Sequence, residues 1–493
     1  MSYTQKSEAD AMIHRRMFLV SMVAGGIAAA ALCVPERLAA AETETTFRGQ
    51  VTGDGKPLAG VLVSDGCRIV TTDSQGNYVL PVGDDSGRFV FVAAPRGYWT
   101  EQFYRPLDRP PVAGTADFAL RSCEQSDRFD FVFITDIHLE SSGPCLTKFK
   151  ASLAEINRLD PQPAFILSQG DICLQGNMGP QYVECMKTAQ MPVRNGPGNH
   201  EMMLKHENPR DDFERLFGPT YYSFDWGPAH FIVLDGNKPL PGEEGWQAVH
   251  GAVEGSELTW LKADLAAQPK GKPIIVGVHI PIVSTYPERR RHSPENAPYW
   301  EVTNNAALTE LFAKHGVRLV LQGHMHENER ITVNGVEYVE SISISGSWWK
   351  AGEGLERGVD GSPRGYRIVS VDGSKVAHRY CPSAESRVDR QGEWCPINAA
   401  VEDAGTTEFV FNCYDAPNDS KAEGRIDDGP WQPMPPHPMP SKPTPDLTMV
   451  HHYRLAVETS KLASGNHSIT ARVTWPDGTV VEETQQFIIG AKP

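Results

Sequence analysis

Asp136-Ile137-His138, Gly170-Asp171, Gly198-Asn199-His200-Glu201, Gly277-Val278-His279 and Gly323-His324-Met325-His326 follow one another along the middle of this chain. They bring carboxylate, amide and imidazole donors together without a thiolate. Asp136, His138, Asp171 and His326 could hold one metal ion, and Asp171, Asn199, His279 and His324 a second, the two oxygens of Asp171 bridging the pair. Two ions about 3.5–4 Å apart lower the pKa of a shared water and clamp the oxygens of an in-line phosphoryl displacement. No covalent phospho-enzyme is then needed. A donor set of oxygen and nitrogen suits Mn, Fe, Zn, Co or Ni, and the residue types do not choose among them.

Such residues need rigid supports. Phe131-Val132-Phe133-Ile134 is a continuous apolar run that ends at Thr135-Asp136, as a strand buried on both faces ends at a functional loop. The same grammar leads from 164–167 to Gly170-Asp171, from 273–276 to His279 and from 317–321 to His324 and His326. Helical patterns occupy 146–159, 208–216, 256–267 and 304–315. Strand, polar loop and helix in repetition predict an α/β layered domain whose site forms at the carboxyl ends of the strands.

In this order and on these supports, the blocks resemble the signature of the calcineurin-like metallophosphoesterase superfamily, over about residues 129–380. The resemblance implies a layered β-sandwich core, two bound divalent or trivalent metal ions, and hydrolysis of a phosphoric ester by a hydroxide bridging them. It also gives His200 a role of its own. His200 resembles the histidine that sits beside the metals without ligating them, contacts a phosphate oxygen and protonates the leaving group, a task that suits imidazole. The alternative is that His200 is itself a ligand. Glu201 would orient it or complete its loop.

Two branches of the superfamily fit less well. Protein Ser/Thr phosphatases carry a phosphate-gripping arginine soon after the Gly-Asp block, and Gly170-Asp171-Ile172-Cys173-Leu174-Gln175-Gly176 has none. Purple acid phosphatases place a tyrosine ligand where this chain has Leu174. The run from Tyr221 to Gly227 before Phe231-Ile232-Val233-Leu234-Asp235 looks instead like the bacterial phosphohydrolase and phosphodiesterase branches. Substrate choice would then lie in loops. Arg289 and Arg290 follow His279 and could reach a phosphate, while Trp348, Trp349 and Arg364 could stack or grip a sugar or base. Solvated charge and rim packing are the plainer readings of the same residues.

The flanks carry no chemistry of this kind. Arg15-Arg16-Met17-Phe18-Leu19, a short apolar stretch to Val34 and Ala39-Ala40-Ala41 read as an export signal over residues 1–41, similar to the twin-arginine type that a Tat translocase recognises. The expected location is periplasmic or secreted. That apolar stretch is too short to span a bilayer comfortably, and no transmembrane anchor is expected after signal removal. Residues 45–122 alternate like a small transthyretin-like or Ig-like β-sandwich, with Tyr98, Trp99 and Tyr104 as sugar-binding or, more simply, interface aromatics. A second β-sandwich is expected over 400–493, with a proline-dense connection from Pro430 to Pro445. Within it His451 and His452, as neighbours on a strand, should point to opposite faces and not share a ligand. Cys381 and Cys395 are close enough in sequence to pair.

The chain has 493 residues, 40% hydrophobic and 22% charged, enough for several cores. Its formal charge of −16 speaks against general binding to nucleic acid or to anionic membranes. The sum is an α/β phosphoesterase core over residues 128–382 flanked by two small all-β sandwiches. Its expected substrate is a phosphodiester or phosphomonoester, nucleotide- or sugar-linked. The competing class is a non-catalytic adhesion protein that uses its sandwiches.

Overall fold

The apolar runs become the strands of two facing sheets. The computed structural model describes residues 45–139, 144–172, 178–203, 208–346, 357–383, 391–395, 400–401, 405–438 and 448–490. The export signal, Leu174, Trp348 and Trp349 lie outside the described residues.

The first sheet runs in the order Val193–Gly196, Ile166–Gln169, Arg128–Ile134, Gly365–Asp372, Lys375–Pro382. Its first three strands are parallel, and the last two pair antiparallel. The second sheet runs Tyr222–Trp226, Ala229–Val233, Ile274–Gly277, Val317–Gln322, Val336–Glu340, Glu329–Val333, parallel from Ala229–Val233 through Val336–Glu340. Strands such as Ile166–Gln169 and Ile274–Gly277 are buried at every position, as the unbroken apolar runs require.

Aromatic rings fill the space between the sheets. Phe131 stacks on Phe165 at 4.9 Å, Phe224 on Phe231 at 5.0 Å, and Phe165 meets Phe231 edge-on at 5.1 Å. Offset and edge-to-face pairs of this kind add about 0.5–1.5 kcal/mol beyond their burial. Outside the first sheet, helix Cys145–Ile156 buries Phe149, Leu153 and Ile156. Helices Gly255–Ala267 and Asn305–His315 bury Trp260, Leu261, Leu308 and Phe312 in the larger core. All of these helices fall where the 3.6-residue pattern predicts them.

The amino-terminal strands share that larger core. Trp99 packs edge-on against Phe224 and Trp226, and the Arg194 guanidinium lies 3.6 Å from the Trp99 ring centre. Tyr104 meets Phe89 and Phe103. Packing against neighbouring rings is what Trp99 and Tyr104 do here.

The carboxyl-terminal residues form a four- and a five-stranded sheet around Trp394, Phe409, Phe411 and Phe487. Three expectations need correction. The proline-dense segment contains strands, Gln432–Met434 and Pro436–Pro438, each at the end of its sheet, where a missing N–H costs no ladder bond. His451 and His452 do not face apart: His451 has φ of 43°, which breaks the alternation, and the two rings stack at 5.1 Å. Cys381 and Cys395 are both free, the first buried in the first central sheet and the second exposed in another.

Candidate metal centre

Each block leaves the carboxyl end of a parallel strand. Asp136 and His138 follow Arg128–Ile134, Asp171 follows Ile166–Gln169, Asn199 and His200 follow Val193–Gly196, His279 follows Ile274–Gly277, and His324 and His326 follow Val317–Gln322. The chain then turns at once. Asp136, His138, Asp171, His324 and His326 have φ of 54°, 47°, 48°, 81° and 55°. A left-handed non-glycine residue costs on the order of 1–3 kcal/mol and persists only where its surroundings dictate it.

Those surroundings are cross-loop hydrogen bonds. Asp136 N–H donates to Gly170 O at 3.1 Å and His138 N–H to Asp171 O at 2.9 Å. His324 N–H donates to Asp136 Oδ2 at 2.9 Å, His200 N–H to Asp171 Oδ1 at 2.9 Å. Buried Glu201 accepts from Asp171 N–H at 3.0 Å and Gly198 N–H at 2.7 Å, so it completes the loop.

The side chains converge without saturating one another. His326 Nε2 is 3.1 Å from Asp136 Oδ1, His279 Nε2 is 3.1 Å from Asp171 Oδ2, and His138 Nε2 is 3.6 Å from both carboxylates. The Nε2 atoms of His138 and His326 are 2.8 Å apart. Yet Asp136 Oδ1, Asn199 Oδ1 and His279 Nε2, all buried, make no well-aligned hydrogen bond among the described residues, the first and third having only the 3.1 Å ion-pair contacts just given. An unsatisfied buried polar atom costs about 1–3 kcal/mol, a cost that a cation at the point of convergence removes. The donors form three sets fit for metal, Asp136-His138-His326, His138-Asp171-His200 and Asp171-His279-His324, the middle one sharing a residue with each of the others.

Protonation suits the same use. Burial pushes both aspartates up, but the surrounding histidines hold Asp136 and Asp171 well below the usual carboxylate range. Burial drives His138 and His324 down to about 4, leaving each a lone pair at neutral pH. For His279 burial also opposes charge, but Asp171 and Asp136 outweigh it and hold the ring at about 9 without a metal. A cation beside it would reverse that balance.

His200 stands apart in exposure, its side chain 14% accessible where those of Asp136, His138, Asp171, His279 and His326 are at most 2%. Its ring meets His138 edge-on at 4.8 Å, and its Nε2 lies 3.7 Å from Asp171 Oδ2. It therefore forms the solvent side of the cluster.

The arginines are placed differently from the expectation. Arg289 is buried, bonded to Glu327 Oε1 and, through Nε, to Thr285 Oγ1 at 2.7 Å. Arg290 Nη2 lies 3.7 Å from the other Glu327 oxygen. Arg364, also buried, donates to Ser152 Oγ at 2.7 Å. Glu327 is fully buried, and a buried carboxylate requires such partners. Sequence reasoning missed the aromatic segment after His279: Tyr299 O accepts from His324 Nε2 at 2.9 Å, and the Trp300 ring lies 5.7 Å from that of His324. Its only signal was a density of rings between Tyr286 and Trp300.

Comparison with known proteins fits this geometry. The family described as "Calcineurin-like phosphoesterase" matches residues 129–328, its amino-terminal companion matches 45–123 and its carboxyl-terminal companion 337–475. A bovine (Bos taurus) protein named serine/threonine-protein phosphatase CPPED1 is 26% identical over 239 residues, 46% of this chain and 69% of its own length. A Mycobacterium tuberculosis protein named cAMP/cGMP dual specificity phosphodiesterase is 30% identical over 152 residues, 31% of this chain and 43% of its own. The solved purple acid phosphatase of yellow lupin aligns at a TM-score of 0.39 and 14% identity, over 67% of this chain and 68% of that one. With the family's three parts in sequence from 45 to 475 and its donor residues gathered at one edge of the fold, the chain belongs to the calcineurin-like phosphoesterases, hydrolases of phosphoric esters.

Proposed function

We propose that this is an exported dinuclear metallohydrolase of a phosphodiester or phosphomonoester, the ester carrying a nucleotide- or sugar-like group. One observation carries the reading: the buried donors of Asp136, Asn199 and His279, which make no well-aligned hydrogen bond among the described residues, converge with His138, Asp171, His324 and His326. Asp136, His138, Asp171 and His326 would hold one ion and Asp171, Asn199, His279 and His324 the other. Mn, Fe, Zn, Co or Ni bound there supplies charge that acidifies water and draws electrons from phosphorus.

The chain's own residues do the rest. His200, on the open side of the cluster, hands a proton to the departing oxygen. Glu201 keeps the backbone of Asp171 and Gly198 fixed, so that the Asp171 carboxylate faces both donor sets. The twin-arginine pattern at Arg15-Arg16 supports export, and relatives named as phosphatase and as cyclic nucleotide phosphodiesterase support both ester classes.

Bis-p-nitrophenyl phosphate and p-nitrophenyl phosphate, offered to the wild type and to Asp171→Ala, test the reaction. The wild type should hydrolyse at least one, and Asp171→Ala should lose about a hundredfold or more, since disturbing even residues behind a metal ligand costs 10–100-fold. Full activity in Asp171→Ala would overturn the reading.

A further inference from the structure

A metal-ligating histidine works when one ring nitrogen is held by a hydrogen bond and the other is directed at the ion. In His324 the backbone decides which is which. Tyr299 O, which can only accept, lies 2.9 Å from Nε2, so Nε2 carries the proton and Nδ1 keeps the lone pair. His279 shows the mirror arrangement, with Nδ1 near Gln169 O at 3.3 Å and Nε2 directed at the cluster, 3.1 Å from Asp171 Oδ2.

The two carbonyls differ in how they are secured. Gln169 belongs to a fully buried strand of the first sheet. Tyr299 sits in a single 3-10 turn, Ala297–Tyr299, on the excursion between Ile274–Gly277 and helix Asn305–His315. Rings fasten that turn. Trp300 stacks on His292 at 4.8 Å and 21°, His292 stacks on Tyr286 at 5.8 Å and 20°, and Trp300 reaches Tyr286 at 5.4 Å. On the other side Tyr299 meets His250 edge-on at 4.4 Å. Below Tyr286 lie Arg289 and Arg290, 5.8 and 5.3 Å from its ring centre, and both reach Glu327, the residue after His326. The stack is thus anchored at one end beside His326 and abuts His324 at the other.

We propose that Trp300 is a positioning residue for the metal centre: its stack on His292 and Tyr286 holds the Tyr299 carbonyl against His324, and so presents His324 Nδ1 to the metal. The inference rests on the two-metal reading above. Removing the Trp300 ring frees the turn, releases the carbonyl from His324 and lets the imidazole rotate or change tautomer. The set Asp171-His279-His324 then loses a donor, while Asp136-His138-His326 keeps all of its own.

The test is titration of the chelator-treated full chain with Zn2+ alone, for wild type, Trp300→Ala and Trp300→Phe, together with the melting temperature of each metal-free protein. Wild type should take up two equivalents. Trp300→Ala should take up one with unchanged affinity and bind the other about 10–100-fold more weakly, the scale seen when a partner behind a metal ligand is lost. Trp300→Phe, which keeps an aromatic face, should recover most of that loss, and the metal-free melting temperatures of Phe and wild type should agree. Two unaltered equivalents in Trp300→Ala overturn the inference and leave the two-metal reading intact. Equal weakening of both equivalents, unrescued by phenylalanine, also overturns it, because the ring would then be general packing. A wild type that binds fewer than two equivalents overturns both.

Discussion

His200 and Asn199 are neighbours in sequence with opposite tasks in the proposed mechanism, and substitution should separate them. His200→Ala should retain its metal while kcat falls by about 10²–10⁴-fold, the range for loss of a positioned acid, and most on esters with poor leaving groups. Steady-state rates on aryl phosphates of graded leaving-group pKa check this. A uniform loss accompanied by loss of metal would instead make His200 a ligand. Glu201→Ala leaves the buried N–H groups of Asp171 and Gly198 unpaired, at about 1–3 kcal/mol each, and should lower the urea midpoint as well as activity. At this scale the side chains that converge were legible because metal chemistry restricts candidate ligands to a few residue types. The left-handed backbone at Asp136, His138, Asp171, His324 and His326 was not, since it follows from cross-loop hydrogen bonds. Arg289 and Arg364 were misjudged for the same reason: an arginine's sequence neighbours do not reveal the buried Glu327 or Ser152 that binds it.

At the scale of elements, the strands that carry the ligands were legible as unbroken apolar runs, and the helices as periodic ones. Strand Gly365–Asp372 was not assigned, although it pairs with Arg128–Ile134 through the middle of the first sheet. Its antiparallel insertion is a long-range pairing with no local signature. The loops that close on the site leave no room at their glycines. A methyl on Gly198 would come within 2.3 Å of the Asp171 nitrogen, and one on Gly323 within 2.1 Å of Thr135 Oγ1 and 2.6 Å of Asp136 Oδ2. Gly198→Ala and Gly323→Ala should therefore each displace an aspartate and reduce metal uptake, as titration of the metal-free variants would register. Normal uptake by both would mean that the loops yield more easily than this packing implies.

Across the whole molecule, one hydrophobic cluster runs from Phe47 in the amino-terminal sandwich to Val371 in the central sheets. Residues 45–122 and 128–382 read in the sequence as separate domains, because a shared core depends on which aromatics meet across them. Trp99→Ala should cost about 3 kcal/mol by urea unfolding, and deletion of residues 45–122 should yield insoluble protein. Soluble, active protein after that deletion would contradict the shared core. Stability should also fall in alkali. Burial opposes charge on His230, but Asp264 and Asp225 outweigh it and raise its pKa to about 9. A raised folded-state pKa means that the stabilisation is full below the ordinary value of 6.5 and is lost as pH rises through about 9, on the order of 3 kcal/mol in total. Urea midpoints of wild type and His230→Gln, compared at pH 6 and pH 9.5, should converge at the higher pH. A gap that stays constant would refute the linkage.

Two metal ions at one edge of the paired sheets would be observed directly by anomalous diffraction from a metal-loaded crystal. Two peaks about 3.5–4 Å apart are expected, with Asp171 between them, Asp136, His138 and His326 on one, and Asn199, His279 and His324 on the other. A single peak, or two ions bound elsewhere with these side chains unliganded, would contradict the two-metal centre.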